Sequence, residues 1–333
     1  MTTKVRTAGR RGLVIGAGAA LGGAWAVGAL CALGEVEGYD PAAADIVVGT
    51  SAGAVLAAMI GCGVAPAAMT ERLSGMSNTP LDGTEPVNPF DVDDHVHAAL
   101  ADRPRPRLLP GNLLLAARTI SRPHRHSLMT AAAALAPRGR GRLAPVGELI
   151  ADLAGDRAWP TTPQTWLVAM DFDSGRRVVF GRAGAPVVTL PEAVVASCAA
   201  PGFFPPVTIG ARRYVDGGAV SVTNADVLLR EQLDEILILA PMSMYERDHP
   251  FSAVGWLERR FRGHLTRRLD GEVGRLIASG ARVRVLGPTA ADLTAMGANV
   301  MDPRRRHAVF ETALRTTRAQ LRSAPQAGQP SRQ

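Results

Sequence analysis

The sequence predicts a three-layer α/β/α domain built on a mainly parallel central sheet, and three observations carry that expectation. Short apolar runs such as Gly12-Leu13-Val14-Ile15 and Asp45-Ile46-Val47-Val48 lack the alternation of a half-exposed strand, so they read as buried on both faces. Each run leads into a glycine turn and then into a helix of small residues, the first over 23–33 and the second to about Cys62. Such β–α alternation implies parallel strands with helices on both sides.

The remaining elements follow in order. Residues 66–90 carry helical and turn signals without a clear site, and from Pro104 to Arg142 arginines and prolines interleave with Leu113-Leu114-Leu115 and Ala131–Leu135. That stretch reads as a basic, partly helical cap over about 104–145, an excursion across the active face. Val146–Leu153 is a short amphipathic helix. Thr165–Met170 and Arg177–Phe180 flank Asp173-Ser174-Gly175, which predicts a hairpin. Leu190–Ser197 is a helix opened by Pro191, and Pro201–Pro206 is irregular because three prolines remove donors and fix φ. Arg213-Tyr214-Val215 is a short strand running into Asp216-Gly217-Gly218. Glu235–Leu239 and Arg282–Leu286 are further strands, with a basic helix over Trp256–Ser279 between them and a last helix over Pro303–Leu321. The expected organisation is a flexible basic arm at 1–11, one α/β domain at 12–321 and a disordered tail at 322–333.

Bulk properties narrow the function. The net charge of +7 in 333 residues points to an anionic partner, either nucleic acid or a phospholipid surface. Lys4 is the only lysine, however, and the Arg, Ala, Gly and Pro bias also fits GC-rich coding. Eight Phe, four Trp and three Tyr leave little for base stacking, which argues against nucleic acid. Cys31, Cys62 and Cys198 stand singly in apolar stretches, as buried thiols in a reducing compartment do, without the spacing of a metal site or a disulfide framework. The uncharged run from Leu13 to Leu33, preceded by Lys4, Arg6, Arg10 and Arg11, has the look of a leader or membrane span. Gly16, Gly18, Gly22, Gly23 and Gly28 crowd it, and a strand, turn and buried helix explain them better. The expected location is cytoplasmic, peripheral at the inner membrane face.

Chemistry concentrates at Gly49-Thr50-Ser51-Ala52-Gly53, a Gly-x-Ser-x-Gly on a strand-to-helix turn. Gly49 and Gly53 leave room for a sharp turn that lifts Ser51 to a helix N-terminus, where free N–H groups favour developing negative charge. The alternative reading is a plain helix cap. The earlier turn, Gly16 to Gly22, resembles a dinucleotide cradle, but no acidic residue ends the second strand to hold a ribose. The backbone N–H groups of Gly18, Ala19 and Ala20 instead suit an oxyanion hole beside Ser51. No histidine has a persuasive setting as the base: His95 and His97 lie in an acidic-polar stretch, His124 and His126 in the basic cap, His249 before a proline, and His264 and His307 in Arg-rich helices. Asp216, followed by Gly217 and Gly218, is the better candidate, although Asp-Gly by itself is an ordinary turn. A carboxylate within reach of Ser51 can act as base if burial raises its pKa.

Taken in order, the turn at 16–22, Gly49-Thr50-Ser51-Ala52-Gly53, the segment Ala196-Ser197-Cys198-Ala199-Ala200-Pro201-Gly202-Phe203-Phe204-Pro205-Pro206 and Asp216-Gly217-Gly218 resemble the motifs of patatin-like phospholipases over about 12–240. The resemblance implies a serine lipid acyl hydrolase acting on lipid or phospholipid esters, with a Ser51–Asp216 dyad, no metal and no organic cofactor. Gly16, Gly22, Gly49, Gly53, Gly217 and Gly218 would support the motifs. Two departures stand out: Ala17 and Ala19 replace glycines, and Leu21 occupies the place of the family's basic residue. They keep open a second class, a non-catalytic lipid-binding or regulatory protein. A third, a nucleotide-dependent oxidoreductase, would need the dinucleotide reading. Peripheral membrane contact is expected through the basic segment 107–142.

Overall fold

A computed structural model describes residues 9–73, 111–121, 128–157, 159–250 and 252–323. Four consecutive neighbours in its sheet are the parallel strands β1 (Arg11–Ile15), β2 (Ile46–Thr50), β3 (Gln164–Asp171) and, on the far side of β1, β7 (Glu235–Leu239). A fifth parallel strand, β8 (Arg282–Leu286), extends the sheet beyond β7. The antiparallel members are β4 (Arg177–Phe180), β5 (Val207–Ile209) and β6 (Arg212–Asp216). β5 was hidden in the sequence because its three residues adjoin the proline loop.

Alternate side chains of the buried strands feed two cores, as strands covered on both faces require. On one face Leu13, Ile15, Val47 and Leu167 pack against α1 (Ala19–Glu37), α2 (Ala52–Gly61), α6 (Ala144–Ala154), α7 (Leu190–Cys198) and α10 (Arg306–Ser323). On the other, Val14, Ile46, Val48 and Val168 pack against Leu269 and Leu276 of α8 (Ala253–Ala278) and a 3-10 turn at Ala225–Leu228. The shorter helices α3 (Pro66–Leu73) and α9 (Ala290–Met296) complete these layers.

α1 is longer than the sequence suggests, because most of the glycine turn is already its first helical turn, with Gly18 as the cap. It is long and apolar enough to span a membrane, yet most of it is buried. It lies close against α10 at Gly28, where a Cβ would stand 2.8 Å from the Phe310 carbonyl oxygen. Arg11, which the sequence assigns to the arm, is the first residue of β1. α10 likewise runs to Ser323, past the predicted start of the tail.

Of the basic cap, α4 (Leu113–Ser121) and α5 (Leu128–Leu135) are described, whereas 104–110 and 122–127 lie outside the described residues, as do 74–90 and the histidines at 95, 97, 124 and 126. Leu115, Ala116, Ala133 and Ala134 of the cap pack on Met170, Phe172, Val215 and Ala219, which places these helices over the C-terminal ends of β3 and β6. Cys198 is buried, but Cys31 and Cys62 are only partly so, and all three are free thiols.

Candidate active site

The topology around β3 determines which groups meet. β2 pairs with one edge of β3 up to Thr50 opposite Val168, and β6 continues along that edge with Asp216 opposite Ala169. β4 occupies the opposite edge, against Leu167 to Met170. β2 and β6 therefore run toward each other, and the residues at their ends, Ser51 just beyond Thr50 and Asp216, are brought together.

Ser51 caps α2 with φ 57° and ψ −126°, a backbone state that costs about 1–3 kcal/mol for a residue with a side chain. Close approach explains both glycines of the turn. A Cβ on Gly53 would fall 2.1 Å from the Ile15 carbonyl oxygen, and one on Gly49 would fall 2.4 Å from that of Gly53. Ser197, fully buried at the end of α7, holds the strained turn. Its hydroxyl accepts from the Ser51 N–H at 3.0 Å and donates to the Val168 carbonyl at 2.6 Å. The Cys198 thiol donates to the Ser51 carbonyl at 3.3 Å.

Asp216 is buried, and its Oδ1 accepts from the Gly218 N–H at 2.7 Å. Desolvation pushes its pKa up from 3.8 to about 6, against the opposing pull of hydrogen bonds from the Ser51 side chain and the Gly218 N–H. Gly217 must lack a side chain, because a Cβ there would lie 2.4 Å from the Val168 carbonyl oxygen. Asn224, in the left-handed region at φ 53°, donates from Nδ2 to the Thr50 hydroxyl at 3.1 Å and to the Gly217 carbonyl at 3.3 Å. One amide thus ties the strand end before Ser51 to the turn after Asp216.

The glycine turn lies alongside, with the Ala17 Cβ 3.7 Å from the position a Gly218 Cβ would take. The Gly16 N–H is used by the Leu239 carbonyl and the Ala17 N–H by the Val222 carbonyl. Gly18, Ala19 and Ala20 open α1, and among the described residues their N–H groups find no backbone acceptor. They are the orphan donors that a helix N-terminus leaves. Ala19 sits at φ 51°, a left-handed conformation better suited to glycine. Gly18 and Gly22 pack on Pro241, 2.8 and 3.1 Å from where a Cβ would be, and the buried Arg262 donates to the Pro241 carbonyl at 2.6 Å. Leu21 is buried in the core, so no cation stands at that place in the turn.

His249 and His307 are exposed and His264 half-buried, and none is hydrogen-bonded to Ser51 or Asp216. Among the described residues no cluster of His, Cys, Asp and Glu is arranged to hold a metal ion. Sequence reasoning missed Thr50, Ser197 and Asn224 as positioning groups. A serine inside the apolar Ala196–Ala200 segment was the one available signal, and nothing local marked Asn224.

The patatin-like phospholipase family model matches residues 13–229, which span the glycine turn, Ser51, Ser197 and Asp216. No curated protein matches the chain. Among solved structures, VipD from Legionella pneumophila aligns over 97% of this chain and 72% of its own, at 14% identity and a TM-score of 0.42. The type III effector protein ExoU aligns over 94% of this chain and 53% of its own, at 18% identity and a TM-score of 0.36. Full-length ExoU from Pseudomonas aeruginosa, in complex with SpcU, aligns over 94% of this chain and 60% of its own, at 18% identity and a TM-score of 0.29.

Proposed function

The chain belongs to the patatin-like phospholipase family, and on that premise we propose that it hydrolyses carboxylic esters of lipids through an acyl-Ser51 intermediate, with Asp216 as the base. The observation that carries the reading is the pairing of a strained, helix-capping Ser51 with a buried Asp216 whose pKa is about 6. A base with a pKa near the working pH combines a large ionised fraction with useful proton affinity.

Asp216 takes the Ser51 hydroxyl proton as Oγ attacks the ester carbonyl carbon. The tetrahedral oxyanion is held by the N–H groups of Gly18, Ala19 and Ala20, each such donor being worth about 3 kcal/mol. The proton passes to the departing alkoxide, which leaves as an alcohol. Water then attacks the acyl-enzyme with Asp216 again accepting a proton, releasing the fatty acid and restoring Ser51. No metal or organic cofactor enters these steps. A lipid or phospholipid ester is the proposed substrate, reached from a membrane surface.

Hydrolysis of p-nitrophenyl butyrate tests the proposal. Ser51→Ala is expected to abolish turnover, whereas His249→Ala, His264→Ala and His307→Ala retain it. Turnover by Ser51→Ala at the parent rate overturns the mechanism, and loss of turnover in one folded histidine variant replaces the dyad with a triad.

A further inference from the structure

A cleft of about 1450 Å³ runs between β4 and α8, lined by neither Ser51 nor Asp216. Seven arginines line it: Arg118 from α4, Arg176, Arg177 and Arg182 at β4 and its flanking turns, and Arg267, Arg268 and Arg275 of α8, besides the Arg-free wall at Val220 and Ser221. Two carboxylates share the lining, Asp226 and Glu272.

The two carboxylates neutralise only part of this charge, two against seven. Asp226 is engaged by Arg177, with Arg275 3.5 Å away. Glu272 is buried and turned inward, accepting from the hydroxyls of Ser221 and Thr223 and from the Ala225 N–H. Arg182 pairs with Glu231, Arg118 donates to the Asp173 carbonyl, and Arg268 donates to the Val220 carbonyl at 2.8 Å. Arg176 and Arg267 are exposed and have no side-chain partner among the described residues. Several guanidinium groups converging on one concave surface repel one another, and the low-dielectric walls focus their field. Guanidinium forks match phosphate oxygens in pairs.

We propose that this cleft binds a ligand bearing clustered phosphates. The chemistry is the same for a soluble polyphosphate and for neighbouring phospholipid headgroups at a membrane surface. Of the basic segment at 107–142, the described residue that joins the cleft is Arg118, so the cationic surface is built mainly by β4 and α8. The cleft also borders the site: Val220 lies four residues beyond Asp216, and Arg268 holds its carbonyl. The proposal needs no hydrolytic activity, and its test reads binding alone.

The full chain is titrated calorimetrically with sodium tripolyphosphate at physiological ionic strength, and is floated with vesicles of phosphatidylcholine, with and without phosphatidylglycerol. The variants are Arg176→Glu, Arg267→Glu and their combination, with Arg322→Glu on α10 as a control of equal charge change. Circular dichroism and the thermal midpoint establish that each variant is folded. Each cleft reversal is expected to weaken binding about ten-fold, the loss of roughly one charge-assisted contact, while Arg322→Glu retains it. Binding of tripolyphosphate with that pattern identifies a soluble polyphosphate site. Flotation with phosphatidylglycerol vesicles alone, with the same pattern, identifies a headgroup site. Absence of binding in both arms, or an equal loss in Arg322→Glu, overturns the proposal.

Discussion

Replacing Asp216 by Asn removes the charge and keeps the shape, so it separates the catalytic role proposed for this carboxylate from what it costs the fold. The amide oxygen of Asn can still accept from the Gly218 N–H, which lies 2.7 Å from Oδ1 in the parent. The parent carboxyl rises from its usual 3.8 to about 6 because burial penalises the anion. At about 1.4 kcal/mol per pH unit, that rise corresponds to a folding cost of about 3 kcal/mol for the ionised group. The sign follows from proton counts. Between pH 3.8 and about 6 the folded state holds a proton that the unfolded state has lost, so stability falls as pH rises through this window and is constant on either side. Urea unfolding of parent and Asp216→Asn at pH 4 and pH 8 measures the effect. The difference in unfolding free energy should move by about 2.4 kcal/mol in favour of the variant between the two pH values, because at pH 4 the unfolded carboxyl is already more than half ionised. Comparing the difference across pH removes every pH-independent consequence of the amide. Turnover of p-nitrophenyl butyrate should fall about 100- to 10,000-fold in the variant. The parent's kcat/KM should climb with pH and level off above about 6. A stability difference that does not change with pH would refute the reasoning, because it would mean a carboxyl with an ordinary pKa.

Two further substitutions probe the groups that shape the site. Ser197→Ala orphans the Ser51 N–H and removes the donor to the Val168 carbonyl, so unfolding free energy should drop by about 1–3 kcal/mol and kcat should fall more than KM changes; unchanged kinetics would show that the turn holds itself. Ala19→Gly relieves a side chain at φ 51° and should stabilise the chain by about 1 kcal/mol in urea while leaving turnover intact, since the proposed role uses only the Ala19 N–H; a loss of stability would contradict the strain.

The parallel part of the fold was legible in the sequence because β1, β2 and β7 are mainly apolar runs bounded by turns, and β8 shows the Arg-Val alternation of a half-exposed strand. β5 and α9 escaped because three and seven residues are too short to show a period. The site was legible where chemistry and backbone coincide. Gly49 and Gly53 announce a turn with no room for side chains, and the Asp-Gly-Gly after β6 announces another. What joins them was not legible. The meeting of β2 and β6 along one edge of β3 is a fact of pairing, with 164 residues of chain between Ser51 and Asp216. Asn224 belongs to the same class, since its partners Thr50 and Gly217 come from two different strand ends. The arginines of the cleft likewise sit in three separate stretches that only the fold brings together.

The central claim is that Ser51 is a nucleophile activated in place, and covalent capture tests it most directly. The full-length protein is incubated at pH 8 with a fluorophosphonate, digested, and mapped by tandem mass spectrometry. The account predicts a single phosphonylated peptide with the adduct on Ser51, lost in Ser51→Ala and strongly slowed in Asp216→Asn. A folded parent protein that takes up no label, or that carries it on another residue, would contradict it.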